Sequence, residues 1–138
     1  MARHLLDTYT CIYWLKDRGG VRNRVDKHGG LKAMTVAAIT VAELYVGAYF
    51  MRRSNPKGND FSNLVTFLGR VNIIPYDSAS AQRFGAVRSG IDDYDVRDNF
   101  DLSNACIALT SGYTLVTGNM KDYKRVRSLK AVTWITRP

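Results

Sequence analysis

The sequence predicts an α/β fold: a central, mainly parallel sheet of four to five strands with helices on both faces. Three observations predict it. Short apolar runs rich in β-formers recur along the chain, stretches with helical spacing alternate with them, and the runs are apolar throughout instead of alternating polar with apolar. Strands of that kind are buried on both faces, which is the condition of a parallel sheet covered by helices.

Taken in order, the first strand is residues 4–6, cut short by the carboxylate of Asp7. A second occupies residues 34–39 and leads into a helix over 40–50, whose Thr40 and Glu43 have the spacing of a capping box. A helix over 61–69 precedes the third strand, 71–76, and Asp77-Ser78 then opens a helix over 77–89. The helix over 101–111 leads into the fourth strand, 114–117, and residues 131–135 form the last. Loops are marked by Gly19-Gly20, Gly29-Gly30, residues 54–58 and the acidic stretch 92–98.

With 138 residues, no internal repeat and no linker, the chain reads as one folding unit, 1–138. No apolar run approaches the roughly 20 residues of a membrane helix, and Asp7 interrupts the N-terminus before a signal-peptide core can form. Cys11 and Cys106 lack the spacing of a zinc site or a disulfide framework, so a reducing cytoplasm is expected. The formal charge of +8 favours polyanionic partners.

Ligands of open parallel sheets bind beyond the carboxyl ends of the strands, and the acids recur there. Asp7 follows the first strand, Glu43 lies in the first turn after the second, Asp77 follows the third, Asn119 and Asp122 follow the fourth, and Asp101 opens the helix leading to it. Eleven of the twelve acids are Asp, and the one Glu, Glu43, sits among Val41, Ala42 and Leu44. Carboxylates beside an apolar core need partners or a cation. Capping is the competing explanation for Glu43 (with Thr40) and for Asp101 (with Asp98), and is the better one for Asp77. Repetition at successive strand ends favours a shared site with a divalent cation. His4, His28 and Ser103 lack the partners that would make them ligands or a nucleophile.

Four segments, Leu5-Leu6-Asp7-Thr8, Thr40-Val41-Ala42-Glu43-Leu44, residues 101–109 and residues 115–123, resemble in order and spacing the PIN-domain ribonucleases, most of all the VapC-type toxins of toxin–antitoxin pairs. The resemblance spans essentially the whole chain. It implies a three-layer α/β/α sandwich, a homodimer, a cognate antitoxin and a Mg²⁺-dependent, or Mn²⁺-dependent, endoribonuclease acting on single-stranded regions of RNA. Asp7, Glu43 and Asp101 would then be metal-binding and catalytic, with the fourth acidic position at Asn119 or supplied by Asp122. Tyr9 stands where many relatives carry Asn, and Asn119 where many carry Asp. An antitoxin segment would suit the apolar helix bearing Leu44, Tyr45 and Phe50.

Such carboxylates suit Mg²⁺ because hard oxygen ligands leave the ion several waters to exchange with phosphate oxygens. The ion would orient a water for attack on the phosphodiester, and the resemblance implies 5′-phosphate and 3′-hydroxyl ends. Thr8 and Thr117, inside the first and fourth motifs, are expected at the substrate. Lys121, Lys124 and Arg125 belong to a run of five cations between 121 and 130 that would track the RNA backbone. Tyr9, Phe100 and Tyr123 flank the motifs and would stack unpaired bases, with half-buried core aromatics the competing reading and the favoured one for Phe100, while Arg88 would meet the substrate or brace a carboxylate. The cluster Arg18, Arg22, Arg24 and Lys27 reads as a solvated face. Two alternatives compete: a structure-specific or rRNA-processing nuclease, and a non-catalytic domain that only binds nucleic acid or protein.

Overall fold

In a computed structural model the described residues are 2–136; Met1, Arg137 and Pro138 of the expected unit lie outside them. The elements in chain order are β1 (His4–Leu6), α1 (Thr8–Leu15), α2 (Val21–Lys27), β2 (Met34–Ala37), α3 (Ala38–Ser54), α4 (Asp60–Leu68), β3 (Asn72–Ile74), α5 (Ser78–Ser89), α6 (Asn99–Ser111), β4 (Thr114–Val116) and β5 (Ala131–Val132). The strands form one sheet in the order β3-β2-β1-β4-β5, parallel at every pairing.

Strand side chains alternate between faces, and that period divides the core in two. Leu6 pairs in register with Val36 and Val116, and all three enter one cluster with Cys11 of α1, Val21 and Val25 of α2, Leu44 of α3 and Phe67 of α4. Leu5 and Leu115, one residue back, enter the other cluster with Leu102 and residues 105–108 of α6, flanked by Phe84 and Val87 of α5. The result is a three-layer α/β/α sandwich. Each fully buried Leu, Val or Phe in these clusters contributes roughly 1.5–3 kcal/mol.

The expected strands are present, though shorter. The second stops at Ala37, because Ala38 and Ile39 already turn as the first residues of α3. The third was expected to be buried on both faces, but Asn72 and Ile73 are exposed, because β3 is a sheet edge, and only Ile74 packs against a core cluster. Two helices were not anticipated. In α1, Asp7 caps the N-terminus by accepting from Thr10 N, and in α2, Val21 and Val25 lie one turn apart and bury together. Among the described residues no helix is long and apolar enough to cross a membrane.

The expected capping boxes do not form. The N-cap of α3 is Ala37, which places Thr40 and Glu43 inside the helix, and Asp98 at the N-cap of α6 makes no side-chain cap bond. Asp77 is the cap it was expected to be, accepting from Ser80 N at 2.8 Å. The two cysteines are buried free thiols in different halves of the core, and burial raises the pKa of each.

Candidate metal centre and active site

Three neighbouring parallel strands, β2, β1 and β4, end side by side, and the chain beyond each carries part of the site. Asp7 leaves β1 buried, 3% exposed, with its N–H donating to Val116 O. Its two carboxylate oxygens divide their work. Oδ1 accepts from Thr10 N at 2.8 Å, and Oδ2 accepts from Gly118 N at 3.2 Å on the loop after β4. That loop can come so close only because residue 118 has no side chain; a Cβ there would stand 2.9 Å from Tyr9 Cβ and 3.0 Å from Ile135 Cδ1.

Glu43, half-buried in the second turn of α3, accepts from Thr8 Oγ1 at 2.6 Å, which ties the helix after β2 to the helix after β1. Asp101 stands in the first turn of α6. Its carboxyl is pushed up to about 6, first by burial and then by the charges of Asp7, Glu43, Asp122 and Asp98. Asp7 and Glu43 are distant from Asp101 in sequence, so their charges act on it because folding brings them near. Ion pairs among the described residues form at Arg22–Asp17 and Arg97–Asp95, so no acid of the site is in one.

Asn119 Nδ2 donates to Asp122 Oδ2 at 2.7 Å, and both residues are exposed on the loop after β4. Asp122, Asp98 and Asp101 line one narrow crevice with Tyr94, Tyr123 and Arg125. Among the described residues no three acids, histidines or cysteines close on a single point as a ready-made metal cage. The donor set nevertheless fits a hard divalent cation. Its atoms are carboxylate and amide oxygens, its charge is uncompensated, and an ion such as Mg²⁺ keeps several waters and needs only one or two carboxylates directly.

Around this centre the expected substrate residues divide. Tyr9 and Phe100 are exposed, 58% and 48%, and free to meet a ligand, as are Lys121, Lys124 and Arg125. Thr8 is occupied in holding Glu43. Thr117, expected at the substrate, is instead fully buried and accepts from Asn119 N, so it fixes the loop from below. Tyr123 is likewise corrected from a stacking surface to a buried floor; burial and the facing carboxylates Asp101 and Asp7 push its phenol pKa up. Arg88 braces no carboxylate: it lies 4.0 Å from the Tyr94 ring centre and donates to Ile91 O. Arg22 lies over Trp14 and donates to the carbonyls of Trp14 and Leu15, which makes it a fastening of α1 to α2.

Buried polar side chains that were not expected at the site join it from within. Asn104 and Thr40 are both fully buried and joined at 2.9 Å between α6 and α3; Thr10 is buried and holds Val116 O. In the sequence Thr40 reads as a helix cap and Asn104 as a polar residue inside an otherwise apolar helical stretch, and nothing in either motif joins the two. Beside the site, a groove of about 250 Å³ runs between α1, α3 and α4, walled by Ile12, Leu15, Leu44, Ala48 and Leu64 and reaching Glu43. Further along α3, Val46, Tyr49 and Phe50 stand exposed.

The PIN domain profile matches residues 4–129. The chain is 30% identical over 138 residues to Ribonuclease VapC2 of Haemophilus influenzae, covering 98% of this chain and all of that protein. It is 28% identical over 140 residues to the tRNA(fMet)-specific endonuclease VapC of Shigella flexneri, covering 97% and 99%. Among solved structures it resembles the DNA-bound VapBC of Salmonella typhimurium with a TM-score of 0.79 at 25% identity, over 97% of this chain and 99% of that one.

Proposed function

The chain belongs to the PIN-domain family, and from that membership we propose that it is a divalent-metal-dependent endoribonuclease, the toxin of a toxin–antitoxin pair, acting on single-stranded RNA in the cytoplasm. The observation that carries the reading is the nearness of Asp7 after β1 and Glu43 on α3 to Asp101 in the first turn of α6, close enough that the other two acids add to burial in raising Asp101.

Asp7, Glu43 and Asp101 would hold Mg²⁺, with Mn²⁺ a substitute, and Asn119 or Asp122 would complete the set. When bound, the ion supplies an activated water and neutralises charge developing on the phosphate. Everything else is done by side chains already in place. Backbone N–H groups of Thr10 and Gly118 aim the two oxygens of Asp7, and the Thr8 hydroxyl fixes Glu43. Asn119 spends its amide hydrogen on Asp122, which leaves its carbonyl oxygen for a cation. Lys121, Lys124 and Arg125 draw the phosphate backbone towards the acids, and Tyr9 and Phe100 offer rings on which splayed bases stack. Cleavage leaves 5′-phosphate and 3′-hydroxyl ends.

The groove between α1, α3 and α4 is the seat we assign to the antitoxin, since its apolar walls end at Glu43, where a basic side chain of the partner would meet the acids. The test is direct. Purified protein freed of any partner should cleave single-stranded RNA with Mg²⁺, Asp7→Asn should abolish cleavage, and the product of a short neighbouring reading frame should suppress it. Metal-independent RNA binding without cleavage would replace this reading with a non-catalytic one.

A further inference from the structure

Glu43 and Asp101 ride on separate helices, and one buried polar contact joins those helices. Asn104 Nδ2 donates to Thr40 Oγ1 at 2.9 Å, across 64 residues of sequence. Both side chains are 0% exposed. Thr40 precedes Glu43 by three residues on α3, and Asn104 follows Asp101 by three on α6, so each member lies one helical turn from an acid on the same face.

We propose that the Asn104–Thr40 hydrogen bond is a positioning brace that sets the spacing of Glu43 and Asp101 for the metal ion. The inference rests on the metal-dependent nuclease reading above. A buried amide and hydroxyl can be exchanged together for apolar isosteres with little change in stability, whereas leaving one of them alone is expensive. Here the amide is not even satisfied: Asn104 Oδ1 has no partner among the described residues. Stability alone does not account for a polar pair in this place.

Geometry gives it another use. The α6 residues beside Asn104 are Ala105, Cys106 and Ile107, and apolar contacts of that kind permit small slides and rotations of one helix on another. At the start of α3 no side-chain cap fixes the helix either. A directional bond between Nδ2 and Oγ1 removes that freedom one turn from the acids, and misplacing a reacting group by about 1 Å costs on the order of 100-fold in rate.

The test uses Thr40→Val, Thr40→Ser, Asn104→Leu and the double variant Thr40→Val/Asn104→Leu, each read by Mn²⁺ binding to the metal-free protein in electron paramagnetic resonance, by thermal melting and by RNA cleavage. The double variant should melt near the wild-type temperature yet bind Mn²⁺ about 10- to 100-fold more weakly, the range seen when a partner behind a metal ligand is lost. Its kcat should fall with KM for RNA unchanged, and Thr40→Ser, which keeps the hydroxyl, should bind Mn²⁺ and cleave RNA close to wild type. A double variant that folds and binds Mn²⁺ as wild type does overturns the brace, and so does a Thr40→Ser variant as impaired as Thr40→Val. If Asn104→Leu fails to fold, the near-isosteric Thr40→Val decides alone. Wild-type protein that takes up no Mn²⁺ overturns the nuclease reading and the brace together, which separates the two failures.

Discussion

At the scale of single residues, Asp101 is the most informative group, because its carboxyl at about 6 records its surroundings. An acid whose pKa is higher folded than unfolded binds more protons in the folded state between the ordinary value, 3.8, and about 6. Stability of the metal-free protein therefore falls as pH rises through that window, and the loss is complete above it. A divalent cation competes with that proton. Stabilisation by Mn²⁺ should thus be large at pH 7.5 and much smaller at pH 5, and melting curves with and without the ion at both values check it; equal shifts would show that Asp101 is no ligand. The placement of the acids was legible beforehand, since the order of apolar runs puts Asp7, Glu43 and Asp122 after strands and Asp101 at the start of the helix that leads into β4. The roles of Thr117, Tyr123 and Arg88 were not. Whether a polar side chain beside a motif faces outward or supports the loop from inside depends on its tertiary neighbours, and a one-dimensional pattern does not contain them.

At the scale of elements, local chemistry was readable where it acts locally. Asp77 followed by Ser78 announces a helix start, and the carboxylate does accept from Ser80 N. Asp77→Ala should lower the midpoint of chemical denaturation through loss of the α5 cap, and should leave RNA cleavage intact because α5 contributes no acid. Wherever packing overrides propensity, the reading failed. The α1 segment is rich in Thr, Tyr, Ile and Trp, residues that favour strands, yet it is helical because Asp7 caps it and Thr10 and Cys11 bury against the sheet. The same override moves the start of α3 forward to Ala38. That shift places Glu43 in the second turn, away from any capping duty and beside Thr8. The edge position of β3 was equally hidden, since strand order is a property of the sheet and not of any one strand.

At the scale of the whole molecule, a chain of formal charge +8 sets a run of exposed cations beside an acidic centre, an arrangement that suits a long polyanion held along the surface while one phosphate meets the acids. Lys121, Lys124, Arg125, Arg127 and Lys130 are all exposed on the segment that follows β4, and Arg125 lines the crevice that holds Asp101. If this segment tracks RNA, binding must release counterions in proportion to the phosphates it neutralises, roughly 0.7 per contact on a single strand. Titrating an uncleaved RNA into Asp7→Asn protein at several salt concentrations gives that slope. Replacing Lys121, Lys124 and Arg125 together with Gln should flatten it by about 2 and weaken binding most at low salt. A slope unchanged by the triple replacement would move the RNA path to another face, such as that of Arg18, Arg24 and Lys27, while leaving the acidic centre where the ends of three parallel strands put it.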